Sequence, residues 1–177
     1  MQKSSKYQNI AFWSWNGRIE KDEAISQLVD FKEKGYGGAF IHARGGLQIP
    51  YMGEEWFYIY DACVDWAKGN VFDIWIYDEF GWPSGFAGGK VNGLGEEYQL
   101  KRLVFSKERI VDKNHRLLRE FHIKQMPLFV YYVIDSNYVD IMDEKVVDAF
   151  IESTHEVYYK RYNTYFGKVI KGIFTDE

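Results

Sequence analysis

Residues 71–95 read VFDIWIYDEFGWPSGFAGGKVNGLG. The first seven are β-branched and aromatic, and Gly, Pro and Asp crowd the remainder, so a strand over Val71–Tyr77 runs into a long glycine-rich loop, Asp78 to Gly95. Upstream, the apolar period switches back and forth. IAFWSW (Ile10–Trp15) is a strand closed by the Asn16-Gly17 turn, and Asp22–Lys34 carries Ala24, Ile25, Leu28, Val29 and Phe31 at helical spacing before Gly35. GAFIH (Gly38–His42) is a second strand, and Glu54–Lys68 is a second helix with Phe57, Tyr60, Val64 and Ala67 on one face.

Downstream, Glu96–Asp140 breaks this rhythm, with strand-like runs at 103–105, 121–123 and 128–134, and reads as an insertion over residues 96–140. The rhythm resumes with one long helix over Asp143–Phe166 and a strand, VIKGIF, over Val169–Phe174 before Thr175-Asp176-Glu177. Strands alternating with helices imply βαβ units and a parallel sheet. No G-x-G-x-x-G follows the first strand, which argues against a dinucleotide-binding sheet. The predicted class is therefore α/β of the (β/α)8 TIM-barrel type. A whole barrel takes about 250 residues, so residues 1–177 read as a partial catalytic barrel holding the first four βα strands, with a small β-rich insertion after the third.

Composition sets further bounds. With 22 basic and 26 acidic side chains interspersed at a net charge of −4, no electrostatic footprint for nucleic acid or an anionic membrane exists. No apolar run is long enough to cross a bilayer, and MQKSSKYQNI lacks the apolar core of a signal peptide, which favours the cytoplasm. The single Cys63 falls inside an apolar helical pattern and reads as a buried thiol. Aromatic residues make up 19% of the chain, enough to ask whether some face a ligand rather than the core.

In a parallel α/β sheet, chemistry collects at the carboxyl ends of the strands. Those ends carry Trp13, Trp15 and Asn16; His42 and Arg44; Tyr77, Asp78, Glu79 and Trp82; and Asp176 and Glu177. Indole platforms that stack on pyranose rings, beside carboxyl groups that move protons, suit a carbohydrate site. Trp13 is divided between core and site, whereas Trp15 and Trp82 border turns and read as site walls. His42 is either a satisfied core histidine or a donor to a sugar hydroxyl. Arg44 is either a counter-ion for a strand-end acid or a sugar contact, and Asp78 and Glu79 either cap a turn or line the pocket. No residue set has metal-ligand spacing, and the chemistry needs no cofactor.

FWSWNG (12–17), GGAFIHARGGL (37–47), EEWF (54–57), IWIYDEFGWPSGFAGG (74–89) and GIFTDE (172–177) together resemble the catalytic barrel of α-L-rhamnosidase-like glycoside hydrolases, the group around glycoside hydrolase family 106. The resemblance implies a (β/α)8 barrel that hydrolyses O-glycosidic bonds of poly- or oligosaccharides, with inversion at rhamnosides and calcium in characterised members. It implies Glu177 as general acid, with Asp176, Asp78 and Glu79 lining the sugar pocket. Phe80 stands where relatives often carry an acid, and the insertion is shorter than theirs. With the chain ending at Glu177, the expectation is an inactive fragment that lacks its partner, the C-terminal half of the barrel, and exposes apolar faces. Two rival readings are a non-catalytic carbohydrate-binding module and a β-galactosidase-like barrel glycosidase.

Overall fold

The structure is a computed structural model that describes residues 8–177; the first part of the polar N-terminal segment lies outside the described residues. Five parallel-sheet and crossover elements open the chain: β1 (Ile10–Trp15), α1 (Lys21–Glu33), β2 (Gly38–Ala43), α2 (Glu54–Asn70) and β3 (Asp73–Phe80). Then come three antiparallel strands, β4 (Gln99–Ser106), β5 (His115–Ile123) and β6 (Met126–Val139). Two short helices, α3 (Glu144–Ser153) and α4 (His155–Tyr162), lead to β7 (Ile170–Phe174).

The expected TIM-type half-barrel is not what forms. The parallel strands make an open four-stranded sheet in the order β1-β2-β3-β7, and β4-β6-β5 is a separate antiparallel sheet, giving a mixed α/β fold. Alternating strand and helix signals specify parallel βαβ units. Closure depends on strand number and stagger, which no local pattern encodes.

Alternation along the strands sorts side chains between the two faces of the parallel sheet. Ala11, Trp13 and Trp15 of β1, Ala39, Ile41 and Ala43 of β2, and Ile74 and Ile76 of β3 form one buried cluster with Leu28 of α1, Trp56, Ile59 and Tyr60 of α2, and Tyr158 and Tyr162 of α4. Edge-to-face pairs bind its centre, with ring centroids 5.3 Å apart for Trp13–Trp15 and 4.9 Å for Trp15–Trp56. Such pairs add about 0.5–1.5 kcal/mol each beyond their burial. The opposite face is paved by Phe12, Phe40, Trp75, Tyr77 and Phe174. Trp75 lies so close over β7 that a Cβ on Gly172 would sit 2.9 Å from its ring, which only glycine permits. Phe12 on that face is half exposed.

Three local differences from the sequence reading have identifiable causes. Val71 does not start β3; it is the left-handed C-cap of α2, with φ 50°, and the strand begins at Asp73. The expected long helix breaks at Thr154, whose backbone leaves the helical region and whose hydroxyl donates to the Phe150 carbonyl at 2.7 Å, so α3 and α4 meet at an angle-setting joint. The antiparallel strands are longer than their apolar runs because polar positions such as Lys101 and Arg102 continue the ladder. A second cluster of Ala87, Val91, Val139, Val146 and Phe150 joins the loop after β3 to the end of β6 and to α3.

Among the described residues, no helix is long and apolar enough to cross a membrane. Cys63 is buried, and burial pushes its thiol up, so it stays protonated.

Candidate active site

The carboxyl end of β3 decides the geometry. Ile41 pairs with Ile76 but Ala43 pairs with Phe80, so β3 carries extra residues opposite β2 and bulges over Tyr77–Glu79. The bulge cancels strand alternation, and Tyr77, Asp78 and Glu79 are all buried in succession. A buried carboxylate must find partners, and both acids find them in their own loop.

Glu79 accepts five backbone N–H groups. Phe80 (2.7 Å) and Gly88 (2.5 Å) donate to Oε1; Gly85 (3.1 Å), Phe86 (3.0 Å) and Ala87 (2.7 Å) donate to Oε2. Burial pushes the Glu79 carboxyl above its ordinary pKa, and these amides pull against that shift. The Gly85-Phe86-Ala87-Gly88 segment is thus wound around one side chain, and positive φ at Gly85 and Gly88 lets the backbone turn its amides inward.

Asp78 is equally occupied. Its Oδ1 accepts the Ser84 hydroxyl at 2.6 Å, and its Oδ2 accepts the Thr175 hydroxyl at 2.7 Å and His155 Nε2–H at 2.8 Å. Ser84 then ties the loop to the end of β7. Its backbone N–H donates to the Asp176 carbonyl (2.9 Å), its Oγ accepts the Asp176 N–H (3.0 Å), and its own carbonyl accepts the Tyr138 hydroxyl (2.5 Å).

Asp176 faces the other way. Its Oδ2 accepts the Tyr77 hydroxyl at 2.7 Å, and its Oδ1 has no hydrogen-bond partner among the described residues. Burial, reinforced by the Asp176 carboxylate, raises the Tyr77 phenol well above its usual range, which keeps it a donor. Glu177 is exposed, with φ 65°.

His42 lies under this pair. Its ring stacks on Tyr77 with centroids 3.5 Å apart, Nε2–H donates to the Gly81 carbonyl at 2.9 Å, and Nδ1 is buried without a partner. Burial lowers its pKa, the Arg44 charge adds to that, and the Gly81 bond and Asp176 act against it. The imidazole is therefore neutral, with its proton on the nitrogen that faces a carbonyl. Arg44 is exposed at the end of β2, its backbone N–H donating to the Trp15 carbonyl. Trp82 is 54% exposed and precedes a cis-proline.

The residues expected to gather at the mouth therefore divide. Tyr77, His42 and Asp176 are in direct contact or linked through one another, and Trp82 stands on the loop that Ser84 ties to Asp176. Trp15 is not a site wall. It is fully buried between Trp13, Trp56 and Tyr60. Its parity along β1 matches that of the core residue Trp13. Sequence reasoning also passed over Ser84, His155 and Thr175, three hydroxyl and imidazole donors that converge on Asp78 from distant parts of the chain.

The calcium implied by the family resemblance does not fit this donor set. The oxygens of Asp78 and Glu79 are turned into protein hydrogen bonds, and among the described residues no three His, Cys, Asp or Glu side chains gather as a metal cradle.

No family model and no curated protein matches the chain. Among solved structures, it is similar to a rhamnosidase from Novosphingobium sp. PP1Y, at 25% identity and a TM-score of 0.48. That match covers 68% of this chain, which spans 11% of the rhamnosidase's length. The likeness is too slight to carry an argument about activity, so the site's own geometry has to.

Proposed function

We propose that the chain supplies the sugar-facing part of a glycoside hydrolase acting on α-L-rhamnoside-like O-glycosidic bonds. The observation that carries this reading is the double tie between Ser84 and Asp176. It fixes an exposed indole, Trp82, on the same rigid unit as a carboxylate whose Oδ1 is unengaged. An indole face packs on the C–H face of a pyranose, and the adjacent acids reach its hydroxyls or the glycosidic oxygen. Arg44, exposed beyond His42, is a further hydroxyl contact at the rim. Glu177, the exposed acid beside Asp176, is the proton donor in this reading.

Hydrolysis uses two carboxyl groups, about 5–5.5 Å apart for retention or about 6.5–9.5 Å for inversion. Glu79 cannot be the second, since it holds five amides, and Asp78 is committed to three donors. That commitment also favours a second reading, a carbohydrate-binding module, because the acids at the end of β3 no longer speak for catalysis.

Titrating the protein with L-rhamnose while following the Trp82 indole resonance, alongside turnover of an aryl α-L-rhamnoside, separates the two. Binding with turnover that Glu177→Gln abolishes supports the hydrolase. Saturable binding without turnover supports the module. Absence of both overturns the sugar site.

A further inference from the structure

We infer that His155 is a positioning residue for the Asp176–Glu177 carboxylates, an inference that rests on the sugar-site reading above. The argument starts from Asp78, fully buried, whose carboxylate receives three donors from three separate segments. Two of those donors belong to the site itself. Thr175 is the residue before Asp176, and Ser84 grips the Asp176 backbone. The third comes from outside.

His155 is the first residue of α4, and α4 is anchored in the main core by Tyr158 and Tyr162, with Trp56 Nε1–H donating to the Tyr158 hydroxyl at 3.2 Å. The helix break at Thr154 sends the imidazole across to Asp78, and the Phe150 ring backs it at a centroid distance of 5.4 Å. His155 is thus the strut between a rigid helix and the hub of the site.

The strut works through hydroxyl direction. A serine hydroxyl has one proton and two lone pairs. Ser84 gives its proton to Asp78, which leaves a lone pair aimed at the Asp176 N–H. Should Asp78 lose His155 and rotate, the Ser84 hydroxyl is free to turn and Asp176 N–H loses its acceptor. Asp176 would then keep only its Tyr77 bond and the Ser84 amide, and the carboxylate pair would sample several orientations instead of one. The path from His155 through Asp78 and Ser84 to the Asp176 N–H runs outside β1 and β2.

The test is amide hydrogen exchange by NMR on the full chain, with L-rhamnose affinity measured on the same samples. In His155→Phe, which keeps a ring but no donor, exchange at Asp176 is expected to quicken about tenfold, the effect of one lost hydrogen bond. Affinity is expected to fall severalfold, while β1 and β2 amides keep their protection. His155→Gln, which restores a donor, should recover both readouts to within about threefold.

Unchanged exchange at Asp176, a uniform rise that includes β1 and β2, or failure of Gln to rescue overturns the assignment. If His155→Phe does not fold, Thr175→Val cuts the same hub from the β7 side and must give the same local pattern. Exchange needs no sugar, so it decides the role of His155 even where wild type binds no rhamnose, a result that instead overturns the sugar reading.

Discussion

Two acidic pairs sit at the carboxyl ends of two neighbouring parallel strands, Asp78-Glu79 in the last residues of β3 and Asp176-Glu177 just after β7, and in the sequence they look alike. The structure uses them in opposite ways. The first pair is buried by a strand bulge and holds eight protein donors. The second is more open, Asp176 half-buried with one phenol on its side chain and Glu177 exposed with no donor among the described residues. A strand-end acid is thus read by what its loop does around it. A glycine-rich loop that can turn its amides inward consumes the carboxylate next to it. The first pair builds the rigid platform and the second is presented on it.

Substitutions can break that contrast, beginning with the greatest effect. Glu79→Ala strands five amides, four of them in the segment 85–88, and is expected to cost at least about 3 kcal/mol in urea unfolding. Asp78→Asn puts an amide donor among three donors and should cost about 2–3 kcal/mol by the same measurement. Ser84→Ala removes one link on each side of the loop, for an expected loss of about 1–2 kcal/mol.

His42 adds a pH dependence whose sign follows from its lowered pKa. The folded state keeps the ring neutral, while the unfolded chain takes up a proton below about 6.5. The unfolded state therefore binds more protons in acid, and stability contributed by His42 is present above about 6.5 and is lost as pH falls from there through the lowered folded value. His42→Phe should flatten this part of the profile, as followed by thermal melts across pH 5 to about 8. At the small end, Glu177→Gln should change unfolding free energy by no more than about 0.5 kcal/mol, although in the proposed hydrolase it would remove the proton donor. A large loss there would erase the contrast between the pairs.

Much of the frame was legible. β1, α1, β2 and α2 follow from apolar period, acidic first turns and Gly35, because those signals are local. What failed was non-local. Whether four parallel strands close depends on stagger, and the bulge at Tyr77–Glu79 depends on pairing with β2, which the sequence of β3 alone does not display. The same holds at the site. Tyr77 and Asp176 were both expected at the mouth, but their hydrogen bond joins residues 99 positions apart. His155 was hidden inside what read as one uninterrupted helix, and the break at Thr154 is what aims it. Trp15 is core for a reason that is local: residues 13 and 15 share a strand face, and both indoles are buried in one cluster.

The contrast between the pairs is tested most directly by following the side-chain carboxyl 13C resonances of Asp78, Glu79, Asp176 and Glu177 through an L-rhamnose titration. Saturable shifts are expected at Asp176 and Glu177, with the Trp82 indole moving in parallel and Asp78 and Glu79 still. Shifts centred on Asp78 and Glu79, or no shift at any of the four, would contradict the division of labour between the two strand ends.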